Sequence, residues 1–115
     1  MLLNDIAAVV ATRDFPTARA WYCRIVGSDP DLEPMAGVAE WRITATAWLQ
    51  LVEDATRAGH CAVRFGVDNL DERIVELAAA GIASGEPMVI ADMVRVADVA
   101  DPDGNEVSFV EELTL

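Results

Sequence analysis

Few side chains in this sequence could do chemistry, and their spacing limits which chemistry that is. In "AWLQLVED" the residues Trp48, Gln50 and Val52 share one face of a strand by alternation. In "HCAVRFGV" Ala62, Arg64 and Gly66 share another, and near the end of the chain Ser108 alternates with Val107 and Phe109. If such a face looked onto a ligand, an aromatic plane beside a few hydrogen-bonding groups would suit a flat or amphipathic small molecule. Other readings stand beside it. Trp48 could be core, Arg64 could pair with an acid such as Asp98, and Gln50 and Ser108 could bond to each other or to water. The single histidine, His60, falls two residues before Ala62 and so shares its predicted face; it reads as a solvated strand-end residue, with a metal ligand as the alternative reading. Cys23 and Cys61 have neither a disulfide pattern nor a metal-ligand spacing, and are expected as reduced core or surface residues. The faces of Trp41 and Met93 stay open.

These side chains need a scaffold, and it reads as two similar halves. Asn4 to Thr12 is almost wholly apolar and suits a strand. Asp14 is a helix N-cap, Phe15, Ala18, Trp21, Tyr22, Ile25 and Val26 recur at helical spacing, and Gly27 ends the helix. "GSDPDLEPMAGVA" carries at most one short strand, and "EWRITATAWLQLV" reads as two strands around a turn near Thr44 to Thr46. His60 to Val67 then restarts the pattern as a strand. Asn69 caps a second helix with Glu72 at the capping-box position, and Gly81 ends it. Caps and stops recur about 55 positions apart, which is an internal repeat. Strands near Met88 to Ile90, from Met93 to Ala100 and from Glu106 to Val110 complete a second β-α-β-β-β.

In "DPDGN" between the last two strands, proline presets a turn angle, Asp101 and Asp103 can bond nearby amides, and Gly104 accepts a positive φ. Residues 101–105 therefore read as a hairpin that fixes strand register. Each half would have a helix on only one face of its sheet. Pairing two such curved sheets, within the chain or across a dimer, would leave a cup between them.

Composition narrows the partners. At 115 residues and 53% hydrophobic, the chain closes one core. Eight Lys plus Arg against 20 Asp plus Glu give a net charge of -12, which repels nucleic-acid phosphates and anionic membrane surfaces. No long apolar run suits a membrane span, and "MLLNDIAAVV" lacks the basic start of a secretory signal, so a soluble cytoplasmic protein is expected. The acidity would favour a cationic guest and Arg64 an anionic one.

The segments "AVVATRDFPTARAWYCRIVG", "AVRFGVDNLDERIVELAAAG" and "DPDGNEVSFVEEL" together resemble the vicinal oxygen chelate superfamily of glyoxalases, bleomycin-resistance proteins and extradiol dioxygenases, over essentially the whole chain. The resemblance implies an α+β fold of two tandem βαβββ modules, about 1–57 and about 58–115, in one domain with a curved, cup-shaped mixed sheet. In metal-using members four cup-facing positions hold His, Glu or Gln. Here those positions fall at Ala7, Gln50, Ala62 and Ser108. Two alanines, an amide and a hydroxyl cannot offset the lost hydration of a divalent ion, unless Glu53 or Glu106 turned inward, so no metal or other cofactor is expected. The resemblance then implies a metal-free, homodimeric binding protein for a small organic molecule, as in antibiotic sequestration, with Trp48, Gln50, Arg64 and Ser108 as ligand contacts. The alternatives are an enzyme, either a metal-dependent lyase or dioxygenase or a metal-free isomerase with a glutamate base, and a structural module whose cup is plugged by its own side chains.

Overall fold

Asp14 begins the first helix as its residue type requires. In the computed structural model, which describes residues 2–113, its carboxylate accepts the Thr17 N–H at 3.3 Å, and α1 (Phe15–Val26) runs to Gly27, whose φ of 86° closes the helix. Asn69 does the same for α2 (Leu70–Ala79), accepting the Glu72 N–H at 3.0 Å. The stop after α2 is a Schellman motif: Ile82 N–H bonds Leu77 O at 2.8 Å and Gly81 N–H bonds Ala78 O at 3.0 Å.

The chain divides into two compact units. The first comprises residues up to Cys61 together with Asp101–Asn105, and the second the remainder. The first unit has the sheet order β1-β4-β3-β2, built from β1 (Ile6–Thr12), β2 (Leu32–Met35), β3 (Val38–Thr44) and β4 (Ala47–Glu53). β1 runs parallel to β4 and the other pairs are antiparallel. Helix α1 packs on one face, against Ala39, Trp41, Leu49 and Leu51, all buried. Trp41 is therefore core. Its indole N–H donates to Ser28 O at 3.0 Å, and Tyr22 links it to Trp21 through ring contacts of 6.3 and 4.8 Å.

The second unit repeats the plan in the order β5-β8-β7-β6, from β5 (Ala62–Gly66), β6 (Met88–Ile90), β7 (Val94–Ala100) and β8 (Glu106–Glu112). β5 and β8 are parallel. Val107 and Phe109 look toward α2, where Arg73 lies 4.9 Å over the Phe109 ring, and Ser108 and Val110 point the other way. The fold is thus the tandem βαβββ arrangement of the α+β class.

His60 and Met93 fall outside the strands expected to hold them. His60 lies in a turn before β5, its N–H bonded to Arg57 O at 3.1 Å, so it is outside the strand and off the face of Ala62. Met93 also lies in a turn and is exposed, because Ala91 and Asp92 take φ of 54° and 55° and reverse the chain there. Asn105 lies in the expected turn but does far more than end it.

Asn105 is fully buried. Its Nδ2 donates to Ala11 O and to Asp101 Oδ2, each at 2.8 Å, and its Oδ1 accepts from Gly59 N and Cys61 N, each at 2.9 Å. Every side-chain donor and acceptor site of the amide is used. Asp101 Oδ1 accepts from Asp103 N and Asn105 N, and its Oδ2 also takes the Tyr22 hydroxyl at 2.7 Å. Burial, then the bond to Asp101, pushes the Tyr22 phenol far above its ordinary value.

Replacing Asn105 with alanine strands several buried groups at once, so Asn105→Ala should lower unfolding free energy in urea by about 3–5 kcal/mol, against about 1.5–3 kcal/mol for Tyr22→Phe. A smaller loss for Asn105→Ala than for Tyr22→Phe would contradict this account. The raised phenol also fixes a pH dependence. Its contribution to stability is complete below the unfolded-state pKa of about 10, and above it falls by up to about 1.4 kcal/mol per pH unit. Because Tyr22 is the single tyrosine, absorbance near 295 nm should show no tyrosinate until the protein unfolds. Tyr22→Phe should abolish that part of the alkaline loss.

Candidate functional site

Each sheet leaves one face without a helix of its own unit, and the expected site residues lie on those faces. In the first unit, register places Ala7 beside Trp48 and Trp48 beside Arg42. The next row is Val9, Gln50 and Glu40. Trp48, Gln50 and Glu40 are half-buried and Arg42 is exposed. The Arg42 guanidinium lies 5.4 Å from the Trp48 ring centroid, and Gln50 Nε2 donates to Glu40 Oε1 at 3.4 Å. Trp48 is therefore not core: the packed side of β4 belongs to Leu49 and Leu51.

In the second unit the corresponding row is Arg64, Ser108 and Asp98. Ser108 is buried and its hydroxyl donates to Asp98 Oδ1 at 2.7 Å. Among the described residues Arg64 makes no ion pair, so the expected pairing with Asp98 does not form; the carboxylate takes the Ser108 hydroxyl instead. Arg64 can stay unpaired because it is exposed and keeps its hydration. Nor do Gln50 and Ser108 bond to each other: each has an acid on the neighbouring strand.

Structure brings Trp48 together with Gln50, and Arg64 together with Ser108. Residues that the sequence reading did not single out join them. Arg42 and Glu40 flank the first pair and Asp98 the second. Alternation along β3 was the available signal for Arg42 and Glu40, but it says nothing until the partner strand and its register are known.

The four positions at which the family resemblance expects metal ligands can be tested for fit. Ala7 and Ala62 offer no donor, Gln50 offers a neutral amide, and the Ser108 hydroxyl proton is already committed to Asp98. Glu53 lies beside Thr12 at the end of β4, on the side of Leu49 and Leu51; Glu106 lies beside Ala62 on the helix-free face, exposed. Among the described residues no three His, Cys, Asp or Glu side chains gather as a metal site. This donor set does not fit a divalent ion.

Comparison with known proteins gives the family. The chain is 32% identical to a glyoxalase/bleomycin resistance protein from Catenulispora acidiphila DSM 44928, over 93% of this chain and 96% of that one, with a TM-score of 0.85. The chain belongs to the glyoxalase/bleomycin resistance protein family. That places it in the vicinal oxygen chelate superfamily. Two further structures share the fold. TnmS3, an antibiotic binding protein from Streptomyces sp. CB03234, is 23% identical, covering 97% of this chain and 98% of that one, with a TM-score of 0.82. A lactoylglutathione lyase from Agrobacterium tumefaciens is 19% identical, covering 92% and 91%, with a TM-score of 0.78. No family model and no curated protein matches the sequence. The fold thus accommodates both a binder and a lyase, and only this chain's own residues can separate the two. No described helix is long and apolar enough to cross a membrane.

Of the three tryptophans, Trp21 and Trp41 are buried, at 7% and 0% exposure, and Trp48 is the one a solute can reach. Acrylamide should therefore quench one emitting component, and Trp48→Phe should remove that component while leaving the shielded emission. A quenchable component surviving in Trp48→Phe would mean that Trp48 is not on an accessible face.

Proposed function

We propose that this protein is a metal-free receptor for a small organic molecule, in the manner of antibiotic sequestration, and not a metal enzyme. The observation that carries this reading is the donor set: alanine at positions 7 and 62, where a metal enzyme of this superfamily would need electron-pair donors, with an accessible indole, Trp48, next to Ala7 in the first unit. Ligand contacts come from the helix-free sheet faces. Trp48 supplies a stacking plane, Gln50 a hydrogen-bonding amide, Arg64 a cation without an ion-pair partner among the described residues, and Ser108 a hydroxyl oxygen that can still accept. The chain would work as one domain of two modules, as a homodimer, in the cytoplasm, where Cys23 and Cys61 would stay reduced thiols.

A thermal-shift series with bleomycin, other glycopeptide antibiotics, quinones and 2-oxo aldehydes, each with EDTA and with added Zn, Ni, Mn or Fe, tests the reading. A ligand present at a hundredfold excess over its Kd adds about 2.7 kcal/mol, or several degrees in Tm. The expected outcome is a shift that EDTA leaves intact, with the compound recovered unchanged and the shift weakened in folded Trp48→Ala. A shift that appears only with added metal, or turnover of the compound, would favour the lyase or dioxygenase reading. Sedimentation velocity should give the mass of a dimer of 12.4 kDa chains.

A further inference from the structure

We propose that Arg42 and Trp48 form a subsite for a planar aromatic group bearing an anionic substituent, with Arg42 the residue that selects the charge. This rests on the reading that the helix-free face of the first sheet receives the ligand. Arg42 stands beside Trp48 in register, and its guanidinium lies over the Trp48 ring, 5.4 Å from the centroid, held there by Nη2 donating to Ala45 O at 2.7 Å. Its backbone N–H is also fixed, by Asp31 Oδ2 at 2.7 Å, but no carboxylate lies within ion-pair distance of its side chain among the described residues. The remaining guanidinium N–H groups are thus placed and unspent, and a planar carboxylate matches their fork. On the opposite flank of the indole stands Ala7, whose methyl group leaves room beside the ring.

A cationic guest fares worse here. The guanidinium 5.4 Å from the ring centroid already occupies the electrostatic attraction that an indole offers a cation. Two acids stand near the subsite: Asp31, whose Oδ2 is taken up by the Arg42 backbone N–H at 2.7 Å, and Glu40, one row along the face and about 7 Å up the strand, to which Gln50 donates; neither lies within ion-pair distance of the guanidinium. The net charge of -12 opposes an anion at long range, but screening confines that field to about 8 Å at physiological salt, so the adjacent guanidinium decides.

The test uses three anthraquinones that differ in one group: the 2-carboxylate, the 2-hydroxymethyl and the 2-aminomethyl compounds, titrated by calorimetry and by Trp48 quenching. Wild type should bind the carboxylate about tenfold more tightly than either analogue. Arg42→Met should erase that preference by bringing carboxylate affinity down to that of the hydroxymethyl compound; Arg42→Lys should keep part of it, and Trp48→Ala should weaken all three. Circular dichroism and melting temperature establish that each variant is folded. Equal binding of the three compounds to wild type, or a preference that survives Arg42→Met, overturns the charge selection and leaves the binding face standing. Failure of all three to bind wild type, or undiminished binding to folded Trp48→Ala, overturns the binding face and the subsite with it.

Discussion

Burying an amide and a carboxylate side by side is costly unless every lone pair and proton is met, and the first unit meets them all at Asn105 and Asp101. Asn105 reaches Ala11 on β1 and the backbone of Gly59 and Cys61, while Asp101 fixes Tyr22 on α1. One five-residue turn therefore bonds the first strand, the first helix and the loop after the fourth strand. Gly59 shows how little slack there is: a Cβ at that position would stand 2.9 Å from Asp103 O, and its φ of 84° is one that side chains rarely adopt. Neighbouring Arg13 closes the arrangement, its N–H on Asp103 Oδ1 at 3.0 Å and its Nη2 on Ala58 O at 3.1 Å.

This network orders the candidate site without taking part in it. By fixing β1 and the loop after β4, it holds the strand register, and register decides which residues stand next to one another on the helix-free face. A one-residue slip of β1 against β4 would put Ala8 beside Trp48 and turn the apolar side of the strand outward. The helix side is settled independently by aromatic packing through Trp21, Tyr22 and Trp41. With those large rings committed to the core, the indole of Trp48 is left on the other face.

Local signals carried most of the architecture into the sequence. Asp14 and Asn69 as caps, Gly27 and Gly81 as stops, and alternation in the strands depend on a few neighbouring residues, and each is found where those residues place it. What was illegible depends on partners far along the chain. Asn105 and Ala11 are 94 positions apart, and no local pattern announces their bond. Alternation put Trp48 with Gln50 on one face and set Arg64 and Ser108 on another, yet could not supply the neighbours across the sheet, so Arg42 and Glu40 went unremarked and Arg64 was offered Asp98, an acid that the Ser108 hydroxyl takes instead. Irregular pairing between Arg42 and Thr44 makes that part of the register harder still to read. His60 was misplaced because a strand pattern does not mark where the ladder of hydrogen bonds begins.

Ala7 does more than withhold a metal ligand. Register sets Ala7 directly beside Trp48, on neighbouring strands with side chains on the same face. Such neighbours stand about 5 Å apart at Cβ. A histidine or glutamate at position 7 would stand against the indole and cover its flank. It would also bring a charge or a hydrated dipole whose desolvation any ligand stacking there would have to overcome. Alanine removes the donor, the bulk and that desolvation penalty together. On the proposed reading, the alanine that leaves a divalent ion without a donor on the first strand is also the one that leaves the flank of the indole open to a stacking ligand, so a metal ligand and an aromatic guest would compete for that one position.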